Sequence, residues 1–367
     1  MFLTINILNR ETDKKISLLM FDKKGKLLKR RYLSSRNNYR DGKEDEYTFD
    51  LEKVDHICFS YHKIKSLPII LSMYMPSLSL KINKRYHKFE VSFYNHGIKK
   101  TGKVVSKVYK SDLLKYRGGK INTFTYIQEK EDNQKYKLLI AFDGQNLFSK
   151  SGVGNYTSNN DHYGSWQVDQ TLTALKNKTG NSYIVFSLDN GNRYRDKDLT
   201  LSQNFGKVDY QYAENKLFFH GKLEVISKFI IEEALPDLLS KYDIDVNDIG
   251  TFGSSSGGLA SFYLCHRYSD LFSYSINLSP ALFLYSPEDI NSLVINKNKI
   301  PYSLLVGGLH SDLEVSLTKY WKYYYLENKD LYKGNLDYFI QKEYDHNEIA
   351  WRYLFSKAMS LIREKSI

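Results

Sequence analysis

The sequence predicts an α/β domain, a mostly parallel sheet flanked by helices over residues 105–367, preceded by an all-β, immunoglobulin-like sandwich over residues 1–104. Three observations predict it. Beyond about residue 105, short apolar runs alternate with amphipathic stretches, an order that builds a parallel sheet with helices on both faces. Before it, extended segments are divided only by turn residues. A chain of 367 residues, 42% hydrophobic and 26% charged, is long enough for about two domains of roughly 100–250 residues.

In the first region Phe2–Leu8, Ile16–Phe21, Tyr47–Leu51, Ile57–Tyr61, Pro68–Met75 and Phe89–Tyr94 are rich in β-branched and aromatic residues, and Asp22-Lys23-Lys24-Gly25 and Asn37-Asn38 punctuate them. The polar stretch Lys99-Lys100-Thr101-Gly102-Lys103 marks the seam. After it Lys137–Phe142, Tyr183–Leu188, Ile249–Phe252, Tyr274–Leu278, Tyr302–Val306 and Leu336–Gln341 are too short and too continuously apolar for surface helices, and read as buried strands. Between them Trp166–Leu175, Leu223–Lys241, Gly257–Tyr268, Val315–Leu326 and Ala350–Ile362 carry apolar residues three and four apart, as one-sided helices do.

Charge is distributed as unevenly as pattern. The formal net charge of +11 comes from the first 105 residues, with 22 basic and 11 acidic side chains, whereas the remainder carries 31 of each. Lys23, Lys24, Lys26, Lys29, Arg30 and Arg31 cluster among aromatics, which suits phosphate-backbone binding. Charged edges also protect strands from pairing with other chains, and nucleic acid is the less favoured partner. Two cysteines, Cys58 and Cys265, supply neither a disulfide framework nor a thiolate zinc site. No apolar run approaches the roughly 20 residues of a membrane span, and Met1–Arg10 lacks a basic lead and a cleavage site, so a cytoplasmic protein without a membrane partner is expected. Gly152-Val153-Gly154 is too sparse for a phosphate loop, and Asp243, Asp245 and Asp248 lack the glycine and glutamate of a calcium loop.

Chemistry concentrates at Gly253-Ser254-Ser255-Ser256-Gly257, between a strand and a helix. A serine at so sharp a corner is forced into strained dihedrals and projects its hydroxyl, and small neighbours allow the turn; Ser255 is the candidate nucleophile. A hydroxyl needs a base. Of nine histidines, His346 in Asp345-His346-Asn347-Glu348 falls between the last strand and the closing helix, at the carboxyl edge of the sheet, while His56, His62, His87 and His96 belong to the basic region, His266 to a helix, and His162, His220 and His310 to loops. The orienting acid is expected between serine and histidine in the chain. Asp312 is the first choice and Glu314 the reserve, both following the strand that ends at Val306; either could instead complement a helix dipole. A tetrahedral intermediate needs two N–H donors: Ser256, directly after the nucleophile, and Gln145, presented by Gly144 in Asp143-Gly144-Gln145-Asn146-Leu147-Phe148. Asp143, Trp166 and Arg193 follow strands in a way that suits a substrate pocket.

Residues from about 105 to 365 resemble the putative esterase family of the α/β-hydrolase fold, which includes enterochelin esterases, feruloyl esterases, S-formylglutathione hydrolases and mycolyltransferases. The resemblance is carried by Asp143–Phe148, Trp166-Gln167-Val168-Asp169, Glu233-Ala234-Leu235-Pro236, Gly253–Leu259, Leu278-Ser279-Pro280-Ala281 and His346-Asn347-Glu348-Ile349-Ala350-Trp351, in that order. It implies Ser255 as nucleophile, His346 as general base, an oxyanion hole from Gln145 and Ser256, and an acid after Val306. Relatives carry that acid about three residues past a glycine, whereas Asp312 lies four past Gly308. The expected function is hydrolysis of carboxylic esters, with siderophore or carbohydrate esters as substrates and an anionic one matching the basic region; no metal or cofactor is required, and a homo-oligomer is compatible. Acyl transfer on the same residues, or a non-catalytic module whose basic β domain contacts a polyanion, are the alternatives.

Overall fold

The computed structural model describes the strands of the first hundred residues and residues 102–148, 166–190, 193–202, 220–309, 312–341, 344, 346 and 348–365. Two compact units result, one formed by residues 1–99 and the other by most of the chain from residue 100 onward. Among the described residues, the first holds eight strands: β1 (Phe2–Ile7), β2 (Ile16–Phe21), β3 (Leu27–Leu33), β4 (Asp45–Asp50), β5 (His56–Ser60), β6 (Leu67–Pro68), β7 (Leu78–Lys81) and β8 (Lys88–Tyr94). They form two antiparallel sheets, ordered β4-β1-β8-β7 and β3-β2-β5-β6. The basic run Leu27–Leu33 is itself a strand, and so is Leu78–Lys81, neither of which the pattern reading picks out. Of the expected strand Pro68–Met75, residues 69–75 lie outside the described residues.

The second unit is built on one eight-stranded sheet. Its strands are β9 (Gly102–Lys110), β10 (Lys120–Gln128), β11 (Tyr136–Ala141), β12 (Tyr183–Leu188), β13 (Ile244–Ser254), β14 (Tyr274–Leu278), β15 (Tyr302–Gly307) and β16 (Leu336–Ile340). The order is β16-β15-β14-β13-β11-β12-β10-β9, parallel from β16 to β12 and antiparallel for the last two strands. Every residue of β12, β14 and β15 is buried, which is why these strands read as unbroken apolar runs. The edge strand β9 is largely exposed, and β10 beside it mixes exposed, partly exposed and buried positions, so neither is a continuous apolar run and the same criterion misses them. Because β9 begins at Gly102, the expected boundary after residue 104 falls inside a strand of the second unit.

Helices α1 (Val168–Thr179), α2 (Arg195–Leu199), α3 (Leu223–Phe229), α4 (Leu235–Lys241), α5 (Ser256–Arg267), α6 (Pro287–Asn291), α7 (Asp312–Asn328) and α8 (Glu348–Glu364) complete the unit. A π-helical turn, Ile230–Ala234, joins α3 to α4, so the single helix read over Leu223–Lys241 is continuous but not uniform. Among the described residues no helix is long and apolar enough to cross a membrane.

Strand order positions the site. From β11 the chain moves outward to β12, then returns to the other side of β11 as β13. At such a switch point the loops leaving two adjacent strands diverge and open a crevice at their carboxyl ends. The loops leaving β11 and β13 are the two that the sequence marks for chemistry.

Candidate active site

Ser255 follows the last residue of β13 and precedes the first of α5, with φ 55° and ψ −124°. This conformation is strained for a residue bearing a Cβ, and it persists because the backbone is held on several sides. The Ser255 N–H donates to Leu278 O at 2.9 Å, and its carbonyl accepts from the N–H groups of Gly258, Leu259 and Ala281 at 3.0, 3.1 and 3.0 Å. A Cβ at position 253 would come within 2.2 Å of Gly257 O, so the turn closes only with glycine there. The N–H of Ser256 opens α5, where no intrahelical acceptor exists.

Next to it, the loop leaving β11 turns at Asp143, whose φ of 55° and ψ of 45° are left-handed, into one 3₁₀ turn over Gly144–Asn146. The first bond of the turn runs from the Asn146 N–H to Asp143 O at 3.0 Å, so the N–H of Gln145 precedes the bonded part of the turn. Asp143 is 3% exposed, and its carboxylate is chelated by Arg195 at the start of α2: Nε donates to Oδ1 at 2.8 Å and Nη2 to Oδ2 at 2.7 Å. That charge holds the Arg195 guanidinium well above its ordinary pKa. The bidentate fork compensates the buried Asp143 charge and holds its carboxylate.

His346 lies between β16 and α8 and meets a carboxylate. Its Nδ1 is 2.6 Å from Oε1 of Glu314, which is fully buried in the first turn of α7. The other oxygen, Oε2, accepts from the Gly308 N–H at 2.9 Å, and Thr318 Oγ1 donates to Gly308 O at 2.9 Å. A proton on Nδ1 shared with a carboxylate leaves Nε2 as the basic nitrogen. The opposite side of the ring meets the edge of Trp351, with centroids 5.0 Å apart and planes at 80°, and Trp351 Nε1 donates to Ser279 Oγ at 3.2 Å. Ser279 follows β14 with φ 42°.

The carboxylate facing His346 is therefore that of Glu314, the reserve choice; Asp312 is the first residue of α7 and its side chain lies outside the described residues. The reason is geometric. A helical Cα–Cβ bond tilts toward the helix N-terminus, so a side chain in the third position reaches back over the start of the helix toward the loop leaving β15. Trp166 is 1% exposed and packs against Phe252, Trp351 and Phe355, backing the histidine's aromatic wall within the core instead of lining a pocket. Arg193 is exposed and lies over the ring of Tyr194, to whose hydroxyl its Nη2 donates at 2.9 Å; the arginine that reaches the loop after β11 is Arg195. Gly152-Val153-Gly154, His162 and His310 lie outside the described residues.

Besides Arg195, Glu348 and Asn190 carried no role in the sequence reading. Glu348, in the first turn of α8, is 8% exposed, and its Oε1 accepts from Asn146 Nδ2 at 3.4 Å. Burial pushes its carboxyl above the ordinary value, with Asp143 acting the same way and His346 and Arg195 opposing. Asn190, fully buried after β12, contacts the Asp143–Gln145 turn. A strand followed by Asp189-Asn190-Gly191 was the available signal, but polar turns follow most strands.

A family model described as putative esterase matches residues 116–353. Solved structures similar to this chain include the siderophore hydrolase EstA from Aspergillus nidulans, at 14% identity and TM-score 0.55, covering 75% of this chain and 98% of that one. An IroE-like serine hydrolase from Shewanella oneidensis is 17% identical with TM-score 0.54, over 72% of this chain and 82% of the other. The enterobactin and salmochelin hydrolase IroE is 15% identical with TM-score 0.50, over 72% and 99%. At these identities the likeness shows the fold. No curated protein matches the sequence.

Proposed function

The chain belongs to the putative esterase family, and from that premise we propose that it hydrolyses carboxylic esters through an acyl-enzyme on Ser255. Nε2 of His346 takes the Ser255 proton as Oγ attacks the ester carbonyl, and Glu314 orients the imidazole and balances the charge it gains. The N–H groups of Gln145 and Ser256 receive the negative oxygen of the tetrahedral intermediate. His346 then protonates the departing alcohol and later activates the water that releases the acid. These steps call on no metal or cofactor.

One observation carries most of this reading. The His346 imidazole is held at 2.6 Å by a buried carboxylate that is itself anchored by a backbone N–H, an arrangement that selects the tautomer a general base needs. The substrate class rests on weaker support. Neighbouring structures are named for siderophore, enterobactin and salmochelin hydrolysis, and the basic first third of the chain suits an anionic siderophore or carbohydrate ester. Ser255→Ala and His346→Ala are each expected to lower kcat on p-nitrophenyl acetate by about three to six orders of magnitude with the circular dichroism spectrum unchanged. Wild-type turnover retained by either variant rejects the assignment.

A further inference from the structure

An oxyanion donor on a loop is useful only if the loop is held before the substrate arrives. The turn carrying Gln145 has few internal restraints: one left-handed residue, a single 3₁₀ turn, and a chelated side chain at Asp143. The chelation by Arg195 fixes the Asp143 carboxylate, not the peptide plane. We propose that Asn190, anchored by Asp198, is a positioning residue that sets the peptide orientation of the Asp143–Gln145 turn and so aims the Gln145 N–H. This inference rests on the oxyanion role proposed above.

Four hydrogen bonds carry it. Asn190 Oδ1 accepts from the backbone N–H of Asp143 at 3.2 Å, directly at the left-handed residue that starts the turn. The backbone N–H of Asn190 donates to Gln145 Oε1 at 3.2 Å, and Gln145 Nε2 returns to Asp143 Oδ1 at 3.2 Å, so the turn is bracketed at both ends. Nδ2 of Asn190 donates to Asp198 Oδ2 at 3.2 Å, which fixes which way the amide faces. With Oδ1 on one partner and Nδ2 on the other, a flipped amide would set two acceptors and two donors against each other.

The anchor is itself rigid. Asp198 is fully buried, Arg117 Nη1 lies 3.0 Å from its Oδ2, and the Tyr116 hydroxyl donates to its Oδ1 at 2.5 Å. Asp189, the preceding residue, donates its N–H to Asn122 O of β10 at 2.9 Å. Asn190 thus couples the turn to the antiparallel strand β10 and to a buried ion pair. A buried asparagine needed only for its own hydrogen bonding would change stability when removed; one that aims a donor changes the transition state.

The test compares full-length wild type and Asn190→Ala, with active sites counted by fluorophosphonate titration so that misfolded protein drops out. The proposal predicts a fall in kcat per titrated site of about 10–100-fold with KM changed less than about threefold. It also predicts a rise in Ki for a trifluoromethyl ketone, whose hemiketal oxygen occupies the oxyanion position, in proportion to the loss in kcat/KM. Unchanged kcat per site and unchanged Ki overturn it, whatever happens to Tm. If the alanine variant does not fold, Asn190→Ser, which leaves a polar group in the buried site, carries the same comparison with the same two outcomes. A wild-type protein that cannot be titrated at Ser255 overturns the underlying reading instead, and is distinguished by failing before any variant is made.

Discussion

Glu314 and Asp312 stand two residues apart at the start of α7, and it is the Glu314 carboxylate that meets His346. Glu314→Gln is expected to lower kcat by about two to four orders of magnitude, because an amide in that position can favour the wrong imidazole tautomer. Asp312→Asn should cost much less. Steady-state kinetics on p-nitrophenyl acetate decide between them, and the reverse ranking would return the acid role to Asp312. Glu348 allows a test by pH. Its carboxyl is raised by burial, so the folded state binds that proton more tightly than the unfolded chain. Its contribution to stability is therefore full below about pH 4.5 and is lost as pH rises through the folded-state value. Glu348→Gln removes the ionisation cost, and its Tm should exceed that of wild type at neutral pH by a margin that shrinks toward pH 4.5. Melts showing a constant difference across that range would contradict this. The strand-to-helix corner at Ser255 and the place of His346 between the last strand and the closing helix were legible because strand, turn and helix composition locate them without long-range information. Arg195 and Asn190 were not, because their roles are defined by bonds to residues about fifty positions away.

The strand-to-loop corners hold these residues in place, and they tolerate little. A Cβ at Gly308 would lie 1.9 Å from Tyr344 O, bringing the loop after β15 into collision with the segment leading to His346. Gly308→Ala is expected to lower Tm and to separate Glu314 from His346, reducing kcat even at temperatures where the variant is folded. A variant with wild-type kcat and Tm would show that the two loops do not need this approach. The buried parallel strands were readable because burial on both faces makes them apolar throughout. The edge strand β9 and its neighbour β10 were hidden by polar and lysine residues on exposed positions, and the strand β3 by the basic residues in its sequence.

Across the whole chain, the first unit ends at Lys99, and every residue of the candidate site lies in the second. The strand order places the candidate residues: the reversal at β11 sets the loop carrying Gln145 next to the strand that ends before Ser255, and Ser279, Glu314 and His346 follow the successive strands β14, β15 and β16. The central claim is that this assembly activates one serine out of the many in the chain. Fluorophosphonate labelling of the full-length protein, with the adduct located by peptide mass spectrometry, tests it most directly. The account predicts a single covalent adduct on Ser255 that forms far more slowly in His346→Ala. An unmodified protein, or an adduct on a different residue, would contradict it.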